Sequence, residues 1–198
     1  MASPRRANPP AATPGDLHEL ARERFVKGER LEIQTLAEEL GISRATAYRW
    51  AVNAEQLAGQ VLVSLFRENF DHAVRRARGW GAARVVDAMA VGMRAITRSK
   101  AYRAFLERDP PRALRIVASK EGPVQRQTIA LHQALLEEEV AAGRLELPVD
   151  AHTMAYALVR IAESFLYADL IAGEEPDLDK AAEILKLMLR PPPGPAPA

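Results

Sequence analysis

The sequence predicts an all-α chain, with a small N-terminal helix-turn-helix unit joined to a larger helical body. Three observations carry this. Apolar residues recur at the spacing of one helical face in every periodic stretch. No stretch alternates apolar and polar residues as a half-buried strand would. Pro110, Pro111, Gly122, Pro123, Gly143, Pro148, Gly173 and Pro176 punctuate the C-terminal periodic segments, at positions where helices stop.

At 198 residues, 48% of them hydrophobic, the chain is long enough for a small head and a larger core. No uninterrupted apolar run approaches the ~20 residues that span a bilayer, so no membrane partner is expected. The opening MASPRRANPPAATPGD has two arginines and no apolar segment after them, which argues against a secretion signal. The absence of cysteine excludes disulfides, thiol catalysis and thiolate metal sites, and fits the reducing cytoplasm, the expected location. A net charge of +1 says little, but residues 75–120 are mostly basic and 121–183 mostly acidic. The basic middle could be a nucleic-acid stripe; arginines scattered along helices are more often a solvated face, and that reading is preferred.

In order along the chain, the proline-rich ends predict a disordered arm over residues 1–15 and a disordered tail over 191–198. Asp16 is a candidate cap for a helix LHELARERF, whose Leu17, Leu20, Ala21 and Phe25 share a face and which Gly28 ends. Thr35 caps or opens a second helix, TLAEEL, with Leu36, Ala37 and Leu40 inward. Gly41 supplies the left-handed exit, and Ser43 caps a third helix, SRATAYRWAV. Two helices joined by a turn of about three residues holding a glycine make a helix-turn-helix. Asn53 with Gln56 starts a long helix over 54–78, carrying Leu57, Val61, Leu65 and Phe66 and broken by Gly79 and Gly81. Helices then follow over 82–98, 102–107, 112–119, 124–142, 151–171 and 178–189. The head is assigned residues 16–60 and the body 61–190.

A helix that reads DNA needs an apolar inner face to dock on its neighbours and an outer face of small, hydrogen-bonding residues for a major groove ~12 Å wide. In the third helix Ile42, Ala47 and Trp50 suit the inner role, and Ser43, Arg44, Ala45, Thr46, Tyr48 and Arg49 the outer one. Arg44 is the candidate for base readout, since a guanidinium donates two hydrogen bonds to one guanine. Thr35, Thr46 and Tyr48 suit phosphate oxygens, and Arg49 suits either. Spacing alone leaves a three-helix packing with a polar third helix as an equal alternative.

The stretch from about Leu17 to Leu65 resembles the N-terminal domain of the TetR family of bacterial regulators. The family signature GVSxGTLYRHFxSKExL stands here as GISRATAYRWAVNAEQL, keeping Gly41, Ser43, Thr46, Tyr48, Arg49, Glu55 and Leu57. Trp50, Ala51 and Ala54 replace the frequent histidine, phenylalanine and lysine. Losing that lysine at Ala54 puts one phosphate contact in doubt and shifts weight to Thr46, Tyr48 and the arm residues Arg5 and Arg6. The YRW variant and the stretch YALVRIAESFLYADLIAGEEPDLDKAAEIL also resemble the QsdR-like branch, associated with genes for breaking down lactone signals. The resemblance implies a homodimer on a double-stranded DNA operator, acting as a repressor released by a small apolar or lactone-like effector.

It further implies that the last two long helices pair with their symmetry mates and that the preceding helices enclose the effector. Independently, HTMAYALVRIAESFLYADLIA is apolar on nearly all sides, and such a helix must be buried twice. Met154, Leu158, Ile161 and Phe165, with Ile184, Leu185 and Met188 on the last helix, are the candidate dimer interface; a monomer core is the alternative. Candidate pocket residues are Met89, Met93, Phe105, Leu114 and Leu131, with Tyr102, Gln127, His132 and Tyr156 as polar anchors; plain core is the alternative for each. His18, His72, His132 and His152 lack metal-ligand spacing, and neither a nucleophile elbow nor a phosphate-cradling glycine loop is present. No cofactor and no catalysis are therefore expected; a helical interaction adaptor, or a helical-bundle enzyme, are the rival readings.

Overall fold

The computed structural model describes residues 12–119 and 122–189. The expected tail and most of the expected arm, with Arg5 and Arg6, lie outside the described residues. The described residues form eleven helices and no strand, the all-α class that the sequence predicts, with one helix more than the ten expected.

Helix α1 (Pro14–Val26) begins earlier than expected. Its cap is Thr13, not Asp16: the Asp16 N–H donates to Thr13 Oγ1 at 3.3 Å while the Thr13 N–H donates to Asp16 Oδ2 at 2.7 Å. This reciprocal pair satisfies two orphan donors, and Pro14 sits in the first turn, where its missing N–H is no loss. Helix α2 (Ile33–Glu39) has no side-chain cap, so Thr35 does not open it but sits exposed in its first turn. Starting at Ile33 adds a third buried residue to the face of Leu36 and Ala37, which a start at Thr35 would have left outside. At Gly41 the backbone turns to φ +66°, and its N–H and that of Ile42 bond back to Glu38 O and Ala37 O at 3.2 and 3.0 Å. The helix end is thereby sealed by a residue free of the Cβ penalty.

Ser43 caps α3 (Arg44–Ala51), accepting from the Thr46 N–H at 3.1 Å. Between α3 and the long α4 (Ala54–Arg76), Val52 stands at φ 62° with the Asn53 N–H donating to Ala51 O at 2.7 Å. That is a strained three-residue turn with a β-branched residue at its centre. Asn53 then caps α4 through the Gln56 N–H at 2.8 Å.

Two apolar cores organise the rest. The first joins α1–α3 and Leu57, Val61 and Leu62 of α4 to Tyr102 and Leu106 of α6 (Lys100–Arg108) and Ile116 and Val117 of α7 (Pro110–Ala118). The second is built from α5 (Ala82–Arg98), α8 (Pro123–Ala141), α9 (Ala151–Leu166) and α11 (Leu178–Met188). Because α4 sends side chains into both, it is the beam between head and body.

The helix expected over 151–171 is broken. Tyr167 leaves helical geometry at φ −112°, ψ 19°, and α10 (Ala168–Ile171) restarts beyond it. The buried Tyr167 hydroxyl meets that of Tyr102 at 2.7 Å, a bond that the kink positions. Several arginines of the basic middle are held in ion pairs. Arg112 and Arg115 bridge to Glu55 at 3.1 and 2.7 Å, Arg103 pairs with Asp169, and Arg84 with Glu138 and Glu139. No helix of the described residues is long and apolar enough to cross a membrane.

Candidate functional site

In α3, Ala47 is fully buried and Ile42 and Trp50 pack on the first core, as expected of an inner face. Ser43, Arg44, Ala45, Tyr48 and Arg49 are exposed and Thr46 is half-buried. Tyr48 is 50% exposed, so its ring and hydroxyl are open to an outside partner. Arg44 forms no ion pair among the described residues, and Arg49 reaches only Thr46 Oγ1 at 3.4 Å. The helix thus offers a guanidinium, hydroxyls and a phenol on one solvent-facing side. Thr35 lies exposed on α2.

The second feature is a cavity of about 90 Å³ between the two cores. Helix α4 contributes Phe66, Asn69 and Phe70, α5 Met89, Gly92 and Met93, α8 Thr128, Leu131 and His132, and α9 Val159 and Glu163. Of the sequence candidates, Met89, Met93, Leu131 and His132 line it. Tyr102, Phe105, Leu114, Gln127 and Tyr156 do not. Tyr102 and Phe105 instead stack at 6.2 Å, and Phe105 meets Phe25 of the head at 5.4 Å. Leu114 packs on the first core, Gln127 is half-buried outside the lining, and Tyr156 is 51% exposed because its side of α9 faces solvent.

Phe66, Asn69 and Phe70 of α4, and Glu163 of α9, are lining residues that the sequence expectations left out. A signal for the latter existed: it is the one acid in the apolar run preceding Tyr167. Burial pushes the Glu163 carboxyl up to about 7, against the opposing pull of Arg160 and Gln125. Burial also holds the His132 imidazole below its ordinary value, so it is neutral at pH 7. Its Nδ1 faces Thr128 O at 2.8 Å, and its ring meets Phe70 edge-on at 5.0 Å. Tyr102 and Tyr167 are raised, chiefly by burial, and stay protonated.

Of the expected dimer residues, Met154, Leu158 and Leu185 are 4% or less exposed within the single chain, so they cannot face a second copy. They point into the second core because α9 and α11 pack there against α5 and α8. Ile161, Phe165, Ile184 and Met188 are half-buried, and Leu187 beside them on α11 is 56% exposed. No group of three or more His, Asp and Glu among the described residues could hold a metal ion.

Comparison with known proteins gives the class. Residues 80–190 match the family model for the tetracycline-repressor-like C-terminal domain. The chain belongs to the TetR family of transcriptional regulators. It is similar to the structure of the R. erythropolis transcriptional repressor QsdR, at 28% identity over 89% of this chain and 93% of that one, with a TM-score of 0.84. It shares its fold with the repressor AlkX of Dietzia sp., implicated in biodegradation of n-alkanes, at 22% identity over 89% and 90% of the chains, TM-score 0.59. FadR of Bacillus subtilis, in complex with stearoyl-CoA, has the same fold at 9% identity over 89% and 97%, TM-score 0.51. No curated protein sequence matches the chain.

Proposed function

We propose that the chain acts as a homodimeric repressor that occupies an operator through α3 and releases it when a small molecule enters the cavity between its cores. The observation that carries this is the outward face of α3, with exposed Arg44, Tyr48 and Arg49 on a helix whose other side is locked by Ala47. Arg44 is assigned to a guanine edge, Thr35, Thr46 and Tyr48 to phosphates, Arg49 to either, and Ser43 and Ala45 to close approach at the helix start. Regulation, not catalysis, is the assigned activity.

The cavity supports an effector-driven change of shape. At about 90 Å³ it is smaller than the ~150 Å³ cavity that admits benzene. A ring-sized effector must therefore push the walls apart, and one wall is α4. A second route runs from Tyr167 on the cavity wall through its hydroxyl bond to Tyr102, then by ring contact to Phe105 and Phe25 of α1. Displacing either biases the spacing of the two heads, and the effector needs only a differential affinity worth ~1–3 kcal/mol.

The test is binding to DNA from upstream of the chain's own gene across a salt series. The logarithm of affinity should fall steeply with the logarithm of salt as phosphates are neutralised. Arg44→Ala should lose ~1–3 kcal/mol of discrimination at one base pair, while Tyr48→Phe should weaken all sequences alike. Salt-independent binding, or binding indifferent to both changes, overturns the assignment.

A further inference from the structure

Most donors of the polar side chains lining the cavity are already engaged by the protein; the second N–H of Asn69 Nδ2 is the exception among the described residues. Thr128 Oγ1–H donates to Val124 O at 2.9 Å, and Asn69 Nδ2 donates to Gly92 O at 3.2 Å. His132 Nδ1 must carry its proton toward Thr128 O, which leaves Nε2 as an acceptor with no partner among the described residues. Glu163 receives both Gln125 Nε2 (3.3 Å) and Arg160 Nη1 (2.7 Å) on Oε2, and its Oε1 has no partner among the described residues. Among the described residues, no lysine or arginine lines the cavity. Arg160, which pairs with Glu163, is also tied to Ala118 O and is exposed.

We infer that the effector is a small, mainly apolar molecule without negative charge, whose polar head (hydroxyl, amide N–H or ammonium) donates a hydrogen bond to Glu163 Oε1. The inference rests on the cavity being the effector site. A carboxylate or phosphate head would meet the Glu163 carboxylate with no cation among the described lining residues to balance it, and a buried unpaired charge is strongly unfavourable. A donor head satisfies an acceptor that no protein group engages among the described residues. The groups around Glu163 are Arg160 on α9, Gln125 and His132 on α8, Tyr102 on α6 and the kink residue Tyr167; α4 and α5 line the cavity with uncharged side chains only. A lactone whose only polar atoms are acceptors would need Glu163 protonated, and so would bind better below pH 7 than above it.

The experiment is calorimetric titration of the full chain at pH 8 with 1-hexanol, hexylamine, hexanoate and γ-hexalactone, repeated on Glu163→Gln and on two cavity-filling variants, Ala88→Leu and Ala162→Leu. Hexanol and hexylamine should bind about tenfold or more tightly than hexanoate, and Glu163→Gln should weaken hexylamine by about tenfold while leaving hexanol within about threefold. Hexanoate or the lactone binding as tightly as hexanol, or hexylamine indifferent to Glu163→Gln, overturns the donor-head assignment and leaves the cavity intact as the site. Failure of every probe, or binding unchanged in both filled variants, removes the cavity reading and the inference with it.

Discussion

Glu163 shows how a single side chain can be placed against its own solvation. Its carboxyl sits 13% exposed in an apolar wall, where desolvation outweighs the adjacent Arg160 and lifts its proton affinity to about 7. A carboxyl whose folded-state value lies above its unfolded one favours folding below the unfolded value, near 4.5, and loses that contribution as pH rises through 7. Glu163→Gln, always neutral, should therefore match the natural chain near pH 5 and exceed it by ~1–2 kcal/mol, several degrees in Tm, at pH 8. Thermal melts of both proteins across that range check it, and a constant gap would locate the residue in water instead. At this scale the sequence was legible where chemistry is local and opaque where it is not. Ser43, Asn53 and Gly41 declare their capping and turn roles by identity and position. The pocket roles of Asn69 and Glu163 depend on which helices face them, which no spacing along one helix encodes.

Among the elements, the junction of α5 with the end of α8 is the most tightly specified. Glu139 is fully buried and accepts from the Gly81 N–H at 2.6 Å, from Arg144 Nε and Nη2 at 2.8 and 2.9 Å, and from Arg84. Gly81 is required there, since a Cβ would lie 2.2 Å from Arg144 O. Arg144, then Arg84 and the Gly81 amide, hold the Glu139 carboxyl at about 2 despite its burial. With the folded value below the unfolded, this stabilisation is present above about 4.5 and is lost as pH falls toward 2. Glu139→Gln should cost ~2–3 kcal/mol at pH 7 and flatten the acid limb of the stability profile, read by urea titration at several pH values. Helix 82–98 was legible to the residue because glycines and a serine bracket it. The break at Tyr167 was not, because nothing in YADLIA stops a helix; what accompanies it is a tertiary hydroxyl bond to Tyr102 on another helix.

The whole molecule turns on whether two heads are held in register. In the proposed reading one α3 meets one half-site, and joining two in a symmetric pair makes the second contact intramolecular, gaining ~10²–10⁴ in avidity. The outward stripe of α9 and α11 that remains open in the single chain includes Ile161, Phe165, Ile184 and Met188, half-buried, and Leu187, exposed. A second copy packed across that stripe is the economical cover. Leu187 is the place to test it, because an exposed residue contributes little to the monomer, and its replacement alters the chain's own stability by no more than about 0.5 kcal/mol. In a two-fold pair Leu187→Glu places two unpaired carboxylates in an apolar seam. The variant should elute as a folded monomer with an unchanged helical spectrum, and operator affinity should fall by ~10² or more. A dimer that persists with full affinity would put the seam elsewhere on the body, whereas loss of the helical spectrum would show that Leu187 supports the fold of the single chain.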